Sequence, residues 1–105
     1  SISSKQIPLA KLSMENGYVN GFVNSKKVRA EIDLGSNNEL LIYRSSWNYL
    51  FEGEDAIVIG NLIDGSGANV EARGLKDIPM SFGGIDRFVD AKVILLDEHN
   101  ADALI

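Results

Sequence analysis

The feature that most restricts the fold is a strict alternation of residue types in two neighbouring segments. Residues 18–24 and 27–33 each place small or apolar side chains at every second position: Val19, Gly21, Val23, Val28, Ala30 and Ile32. A period of two is the side-chain period of a β-strand that buries one face. The two segments are joined by the polar sequence Asn24-Ser25-Lys26-Lys27, which is typical of a turn. The two segments are therefore predicted to pair as a β-hairpin.

The rest of the chain also favours short strands. They are predicted at residues 7–12, 40–43, 56–59, 69–73, 77–82 and 88–96, of which the last is the longest. Gly83-Gly84 favours a turn between the final two. The residues expected to be largely buried are Val28, Ala30, Ile32, Leu41, Ile57, Met80, Phe82, Val93 and Leu95.

Residues 45–51 are the one segment with the spacing of a helix. Its apolar residues share one side at i, i+3 and i+4: Trp47, Leu50 and Phe51. Ser45 or Ser46 is expected to cap this helix, and Gly53 to end it. Seven or eight strands and one short helix predict an all-β fold, closed or sandwich-like, in a single domain of residues 1–105.

Composition excludes several kinds of function. The chain has no cysteine, which removes disulfides and thiolate metal sites, and only one histidine, His99, which excludes a multi-histidine metal centre within one chain. The net charge of −5 argues against nucleic acid, since phosphates demand a basic face. No apolar run is long enough to span a membrane, and the N-terminal residues do not resemble a signal peptide. We therefore expect no metal, cofactor, nucleic acid or membrane partner; because it lacks an initiator Met, the chain is expected to be a piece of a longer one.

The first candidate for chemistry is the sequence Asp33-Leu34-Gly35-Ser36. Asp33 ends a strand with an apolar inner face, Gly35 permits a tight reversal, and Ser36 can bond to the carboxylate or the backbone. A carboxylate held at such a position can act as a general acid or base. On the motif alone, an ordinary Asp-x-Gly-Ser turn is the favoured interpretation, because short motifs have many false positives.

The second candidate is the sequence Asp64-Gly65-Ser66-Gly67, between apolar residues on both sides. It predicts a long hairpin with a flexible tip. Such a hairpin can be a mobile lid over a cleft or a plain surface hairpin.

The order of these motifs resembles a known family. A hairpin leads to Asp33-Leu34-Gly35-Ser36, an apolar strand and a short helix follow, and then come Asp64-Gly65-Ser66-Gly67, Phe82-Gly83-Gly84, a long strand and Ala101-Asp102-Ala103-Leu104-Ile105. This order resembles the retropepsin-like aspartic protease family of retroviruses, retrotransposons and related cellular domains, from about Tyr18 to Ile105. The resemblance implies a small closed β-barrel of the retropepsin type with a flap hairpin and one short helix.

The resemblance also implies a role for each motif. Asp33 would be the catalytic residue, in an active-site loop with Leu34, Gly35 and Ser36. The flap and substrate-binding residues would be Ile63, Asp64, Gly65, Ser66, Gly67 and Ala68. The closing motif, threaded through the active-site loop, would be Ala103, Leu104 and Ile105.

This chemistry implies a second subunit. Peptide hydrolysis by carboxylates needs two of them close together, sharing one proton. The chain has one Asp-x-Gly-Ser sequence, so the second Asp33 is expected from a second copy in a symmetric homodimer. The implied function is an aspartic endopeptidase that cuts an extended peptide or a polyprotein precursor, in the cytoplasm or in a virus-like particle.

One departure from the family pattern supports a different function. Leu34 stands where the family has Thr or Ser, whose hydroxyl braces the paired loops across the two-fold axis. Leucine cannot donate that hydrogen bond, so the dimer is expected to be weaker than in relatives. The alternative is a catalytically weak or inactive retropepsin-like domain that serves as a dimerisation or peptide-binding module.

Overall fold

The computed structural model describes residues 14–15, 17–32 and 40–105. The strand predicted at residues 7–12 lies outside this part of the chain. In chain order the described elements are β1 (Met14–Glu15), β2 (Tyr18–Val23), β3 (Lys26–Glu31), β4 (Leu41–Tyr43), α1 (Arg44–Phe51), β5 (Ile57–Ile63), β6 (Asn69–Phe82), β7 (Ile85–Ile94) and β8 (Ala103–Leu104).

Six of these strands form a closed barrel in the order β2, β3, β8, β4, β7, β6. The barrel closes where Gly21, Phe22 and Val23 of β2 pair with Phe82, Ser81 and Met80 of β6. β1 adds to β2, and β5 adds to β6, so both extend the sheet beyond the barrel. The prediction of a small closed β-barrel with one short helix is confirmed for the described residues.

The predicted first hairpin is formed by β2 and β3. Asn24 and Ser25 lie at its tip with φ of 52° and 65°, the left-handed values that match the twist of a two-residue hairpin turn. Its inner face is confirmed, because Val19, Val23, Val28 and Ala30 are at most 2% exposed. Ile32 is partly buried and packs against the same core.

The other predicted core positions divide into two groups. Leu41, Met80 and Phe82 are buried, and Val93 is partly buried against the core. Ile57 and Leu95, predicted to be buried, are 57% and 71% exposed, so that prediction is wrong for both. Ile57 belongs to β5, which has only β6 as a neighbour, and Leu95 follows the last residue of β7.

The helix is confirmed, but its N-terminus differs from the prediction. α1 begins at Arg44, directly after β4, and Tyr43 occupies the N-cap position without a side-chain cap. Neither predicted serine caps it, because both hydroxyls are bonded to the segment that precedes β8, Ser45 to Glu98 and Ser46 to Asp102. The helix ends at Phe51, and the next two residues, Glu52 and Gly53, have positive φ. The prediction that Gly53 ends the helix is therefore confirmed.

The apolar side of α1 covers the barrel. Trp47, Leu50 and Phe51 are 8%, 0% and 4% exposed, as the helical spacing predicted. The rings of Trp47 and Phe51 lie 4.3 Å apart between centroids, and the indole N–H donates to the carbonyl of Glu54 at 2.7 Å. Of the described residues only those of α1 form an α-helix, and its eight residues are too few to cross a membrane.

β6 is longer than the sequence predicted. The two segments expected at residues 69–73 and 77–82 form one strand of 14 residues, and it is longer than β7, which has 10. An irregularity between Leu75 and Ile78, with Asp77 at φ 56°, separates the half that pairs with β5 from the half that pairs with β2. Such irregularities are where strands bend and twist more strongly, and here one strand serves both the hairpin and the barrel.

Two turns complete the antiparallel part of the sheet. Gly83 and Gly84 form the predicted turn between β6 and β7, with φ of 60° and 76°. β5 extends to Ile63, beyond the predicted end at residue 59, so the turn between β5 and β6 occupies residues 64–68.

Candidate functional site

The predicted catalytic sequence, Asp33-Leu34-Gly35-Ser36, lies outside the described residues. The structure describes the elements on either side of it, β3 with Ile32 before it and Leu40 with β4 after it. These flanking elements, the predicted closing motif and the β5–β6 hairpin are therefore the parts of the site whose geometry is known.

β8 lies between β3 and β4. It pairs in parallel with β3, Ala30 with Ala103 and Glu31 with Leu104, and antiparallel with β4, Leu41 with Leu104. The chain segment 33–39 therefore joins the two strands that flank β8. The predicted closing motif is brought to the strand that leads into Asp33.

The end of β3 is held from two sides. The N–H of Ile105 donates to the carbonyl of Glu31 at 2.9 Å, and the N–H of Ile32 donates to the carbonyl of Gly17 at 3.2 Å. Ala103 and Ile105 of the closing motif are wholly buried, and Leu104 between them is partly buried. The two residues that precede Asp33 are therefore each fixed to a neighbouring chain segment, Glu31 to Ile105 and Ile32 to Gly17.

Asp102 braces this arrangement, and the sequence analysis gave it no role of its own. Its carboxylate accepts hydrogen bonds from the N–H of Arg29 at 2.9 Å and from the hydroxyl of Ser46 at 2.7 Å. Its own N–H donates to the carbonyl of Arg29 at 2.7 Å, and its carbonyl accepts from the N–H of Tyr43 at 3.0 Å. One residue thus joins β3, β4 and α1. No local sequence signal identifies this role, because the partners of the carboxylate are 73 and 56 residues away.

Glu31 and Tyr43 form a second link between β3 and β4. The hydroxyl of Tyr43 donates to the carboxylate of Glu31 at 3.0 Å, and Tyr43 is 8% exposed. Burial, followed by the hydrogen bond and the charge of Glu31, raises the pKa of Tyr43 to about 12. Tyr43 is therefore a neutral hydrogen-bond donor throughout the physiological pH range.

The tip of the β5–β6 hairpin is organised by Asp64. Its carboxylate accepts from the hydroxyl of Ser66 at 2.6 Å and from the N–H groups of Ser66 and Ala68 at 2.9 and 3.0 Å. These bonds, that of the Ser66 hydroxyl first, lower the pKa of Asp64 below its ordinary value. Gly67 has φ 85°, a value that favours glycine. The tip predicted from the two glycines is thus a turn closed by its own hydrogen bonds.

The β5–β6 hairpin also exposes apolar side chains. Ile63, at the tip, is 66% exposed, and Ile57, Val58 and Val70 are between 41% and 57% exposed. No hydrogen bond between described residues joins the tip, residues 63–68, to the closing motif, residues 103–105. The two segments predicted to form parts of one site are therefore not joined to each other by hydrogen bonds in the described part of a single chain.

Two surface grooves lie elsewhere in the described part of the chain. The larger, about 320 Å³, is lined by Phe22, Pro79, Met80 and Phe88 among others, and the smaller, about 250 Å³, lies beside Trp47. Neither is lined by a predicted site residue. No group of three or more His, Asp or Glu side chains among the described residues is placed to hold a metal ion.

Comparison with known proteins adds no relative. No protein-family model matches the sequence, and a search of the curated proteins finds no match. Function is therefore inferred from the motifs and from the geometry around them.

Proposed function

We propose that this chain is one subunit of a homodimeric aspartic endopeptidase of the retropepsin type. Asp33 of each subunit would supply one of two carboxylates that share a proton. One carboxylate stays ionised and takes a proton from the attacking water, and the other, protonated, polarises the scissile carbonyl. Each chain carries a single Asp-x-Gly-Ser sequence, so the pair requires two copies.

The observation that carries the proposal is the position of β8 between β3 and β4. A two-residue strand of Ala103 and Leu104, more than 60 residues away in sequence, lies beside the strand that leads into Asp33. The retropepsin resemblance implies this neighbourhood of closing motif and active-site loop. A plain β-barrel with a surface turn at Asp33 does not require it.

The β5–β6 hairpin supports the substrate side of the proposal. β5 is the last strand of the sheet, so one of its edges has no strand partner among the described residues. An extended peptide can add to a free strand edge through main-chain hydrogen bonds, and exposed apolar side chains such as Ile63 can cover it. The substrate class is therefore an extended peptide, and a polyprotein precursor is the natural source of one.

Leu34 favours a second function, that of a catalytically weak or inactive dimerisation or peptide-binding module. A leucine in place of the Thr or Ser of the family forfeits a cross-axis hydrogen bond, and such bonds contribute about 0.5–1.5 kcal/mol each. Leu34→Thr is therefore expected to tighten the dimer, which sedimentation over a dilution series measures.

The deciding experiment is incubation of the protein with a mixture of random peptides at mildly acidic pH. We expect cleavage by the parent, a loss of about 10²–10⁴-fold in Asp33→Asn, and no change in Asp55→Asn, which makes the same chemical change at an exposed residue. Activity should rise more steeply than linearly with enzyme concentration, since only the dimer is active. Cleavage retained in Asp33→Asn would disprove the protease, and peptide binding without any cleavage by the parent would establish the module instead.

A further inference from the structure

The outer side of the β3–β8 pair carries an acidic side chain close to the proposed catalytic residue. Ala30 and Ala103, which pair with each other, are wholly buried. Because successive side chains of a strand point to opposite faces, the next pair, Glu31 and Leu104, points away from the core. Both are partly buried and partly accessible. A ligand on this face of the barrel can therefore reach both side chains.

No cation of the described residues neutralises Glu31. Lys26 pairs with Glu52 and Arg44 pairs with Asp97, so neither cation is bound to Glu31. The guanidinium of Arg29 lies over the ring of Tyr18, 4.2 Å from its centroid.

The partner that Glu31 does have is neutral. Tyr43 donates one hydrogen bond to its carboxylate and carries no charge at physiological pH. A carboxylate that accepts one hydrogen bond from a neutral donor has further lone pairs with which to accept others. It is therefore suited to a cationic group supplied by a ligand.

The place of Glu31 in the sequence links it to the proposed reaction. It stands two residues before Asp33, and two residues of chain span at most about 7 Å. A side chain bound by Glu31 thus belongs to a peptide residue near the bond that Asp33 would cleave. Leu104, beside it, offers apolar contact to an aliphatic stem.

We infer that Glu31 is a specificity-determining residue that selects a Lys or Arg side chain of the peptide next to the scissile bond. The inference rests on the proposed function, because the position of the scissile bond follows from the role of Asp33. The carboxylate would bind the cationic head and Leu104 would contact its methylene stem. The hydroxyl of Tyr43 would hold the carboxylate in place.

The test uses pairs of peptides with randomised flanking sequences. The two members of a pair are identical except at the central position, which is lysine in one and norleucine in the other. For the parent we expect kcat/KM to be about tenfold higher for the lysine peptide than for the norleucine peptide, because one charge-assisted hydrogen bond contributes about that factor. Glu31→Gln, which keeps an acceptor for Tyr43, should bring the ratio of kcat/KM for the lysine peptide to that for the norleucine peptide down to about one. Glu54→Gln, the same charge change at an exposed residue after α1, should keep the preference.

A binding arm separates the inference from the proposed function. The same peptides, fluorescently labelled, are titrated with Asp33→Asn protein with and without Glu31→Gln, and with thermal unfolding as a check of folding. Equal cleavage of both peptide classes by the parent, dependent on Asp33, would overturn the inference and leave the protease intact. Lysine-selective binding that depends on Glu31, without any cleavage, would overturn the protease and leave the selectivity of Glu31 intact. Neither cleavage nor Glu31-dependent binding would overturn both.

Discussion

The β3–β8–β4 region and the β5–β6 hairpin are both built from paired strands, but they bury their apolar side chains to opposite extents. Ala30, Ala103 and Ile105 in the first region are wholly buried, whereas Ile57 and Ile63 in the hairpin are 57% and 66% exposed. β8 has a strand on each side, whereas β5 has one strand neighbour among the described residues. The difference teaches that the frame of the proposed catalytic loop is part of the core, while the hairpin keeps apolar surface for something else to cover.

The hydrogen bonds of the two regions differ in the same sense. Asp102 joins residues that are 73 and 56 positions away from it, Arg29 and Ser46. Asp64, the matching carboxylate in the hairpin, binds only residues two and four positions away. Bonds between distant residues are lost only when the domain unfolds, whereas bonds within a turn survive or break locally. The first region therefore shares the global stability, and the tip of the hairpin has a stability of its own.

The largest effect is expected where the hairpin joins the barrel. A Cβ on Gly74 would collide with the carbonyl of Ala91 in β7, while a Cβ on Gly60, in the middle of β5, meets nothing within 4 Å. Gly74→Ala should therefore lower the free energy of unfolding by about 3 kcal/mol, because two backbones must separate. Gly60→Ala should leave it unchanged or raise it by up to about 1 kcal/mol. Urea unfolding of both variants measures the difference. Equal effects would contradict the close approach of Gly74 to Ala91 as the junction between the hairpin and the barrel.

A smaller effect is expected from the carboxylate that braces β8. Asp102→Ala removes the acceptor for the N–H of Arg29 and the hydroxyl of Ser46, and should lower the free energy of unfolding by about 2–3 kcal/mol. Asp97→Ala breaks the ion pair between Asp97 and Arg44. It should change the free energy of unfolding little, because both side chains are more than half exposed. Chemical denaturation of the two variants checks this, and a stable Asp102→Ala protein would show that the brace is dispensable.

The smallest effect concerns pH. The pKa of Tyr43 is about 12 in the folded chain and near 10 when unfolded, so between these values the unfolded state has lost a proton that the folded state keeps. The contribution of Tyr43 is complete below pH 10 and falls as the pH rises towards 12, by at most about 1.4 kcal/mol per pH unit. Thermal melts from pH 9 to 11.5 should show a steeper loss in the parent than in Tyr43→Phe. Parallel curves would mean that the pKa of Tyr43 is not raised in the folded chain.

The sequence predicted the parts of the fold that local pattern determines. The alternation around Val19 and Val28 predicted the first hairpin, and the spacing of Trp47 and Leu50 predicted the buried side of α1. The closed barrel followed from the number of strands and from the resemblance. The prediction that Ile57 is buried was wrong, because the sequence shows that a residue is apolar but not whether its strand has a neighbour on both sides.

The long-range parts of the candidate site were less accessible to sequence analysis. The two residues of β8 are too few to show a period, and their place between β3 and β4 depends on contacts across most of the chain. The role of Asp102 was missed for the same reason, because its partners are 73 and 56 residues away. The predictions for Asp33, Leu34, Gly35 and Ser36 fall outside the described residues and remain predictions.

The insertion of β8 also governs the order of events in folding. Arg29 and Asp102, which link β3 to the start of β8, are separated by 73 residues, so the loop between them must close before β8 can pair with β3. Chains dominated by such distant pairings fold slowly, in about milliseconds to seconds. Until β8 arrives, β3 and β4 each present an unpaired edge, and at high concentration partly folded chains are prone to pair with each other instead.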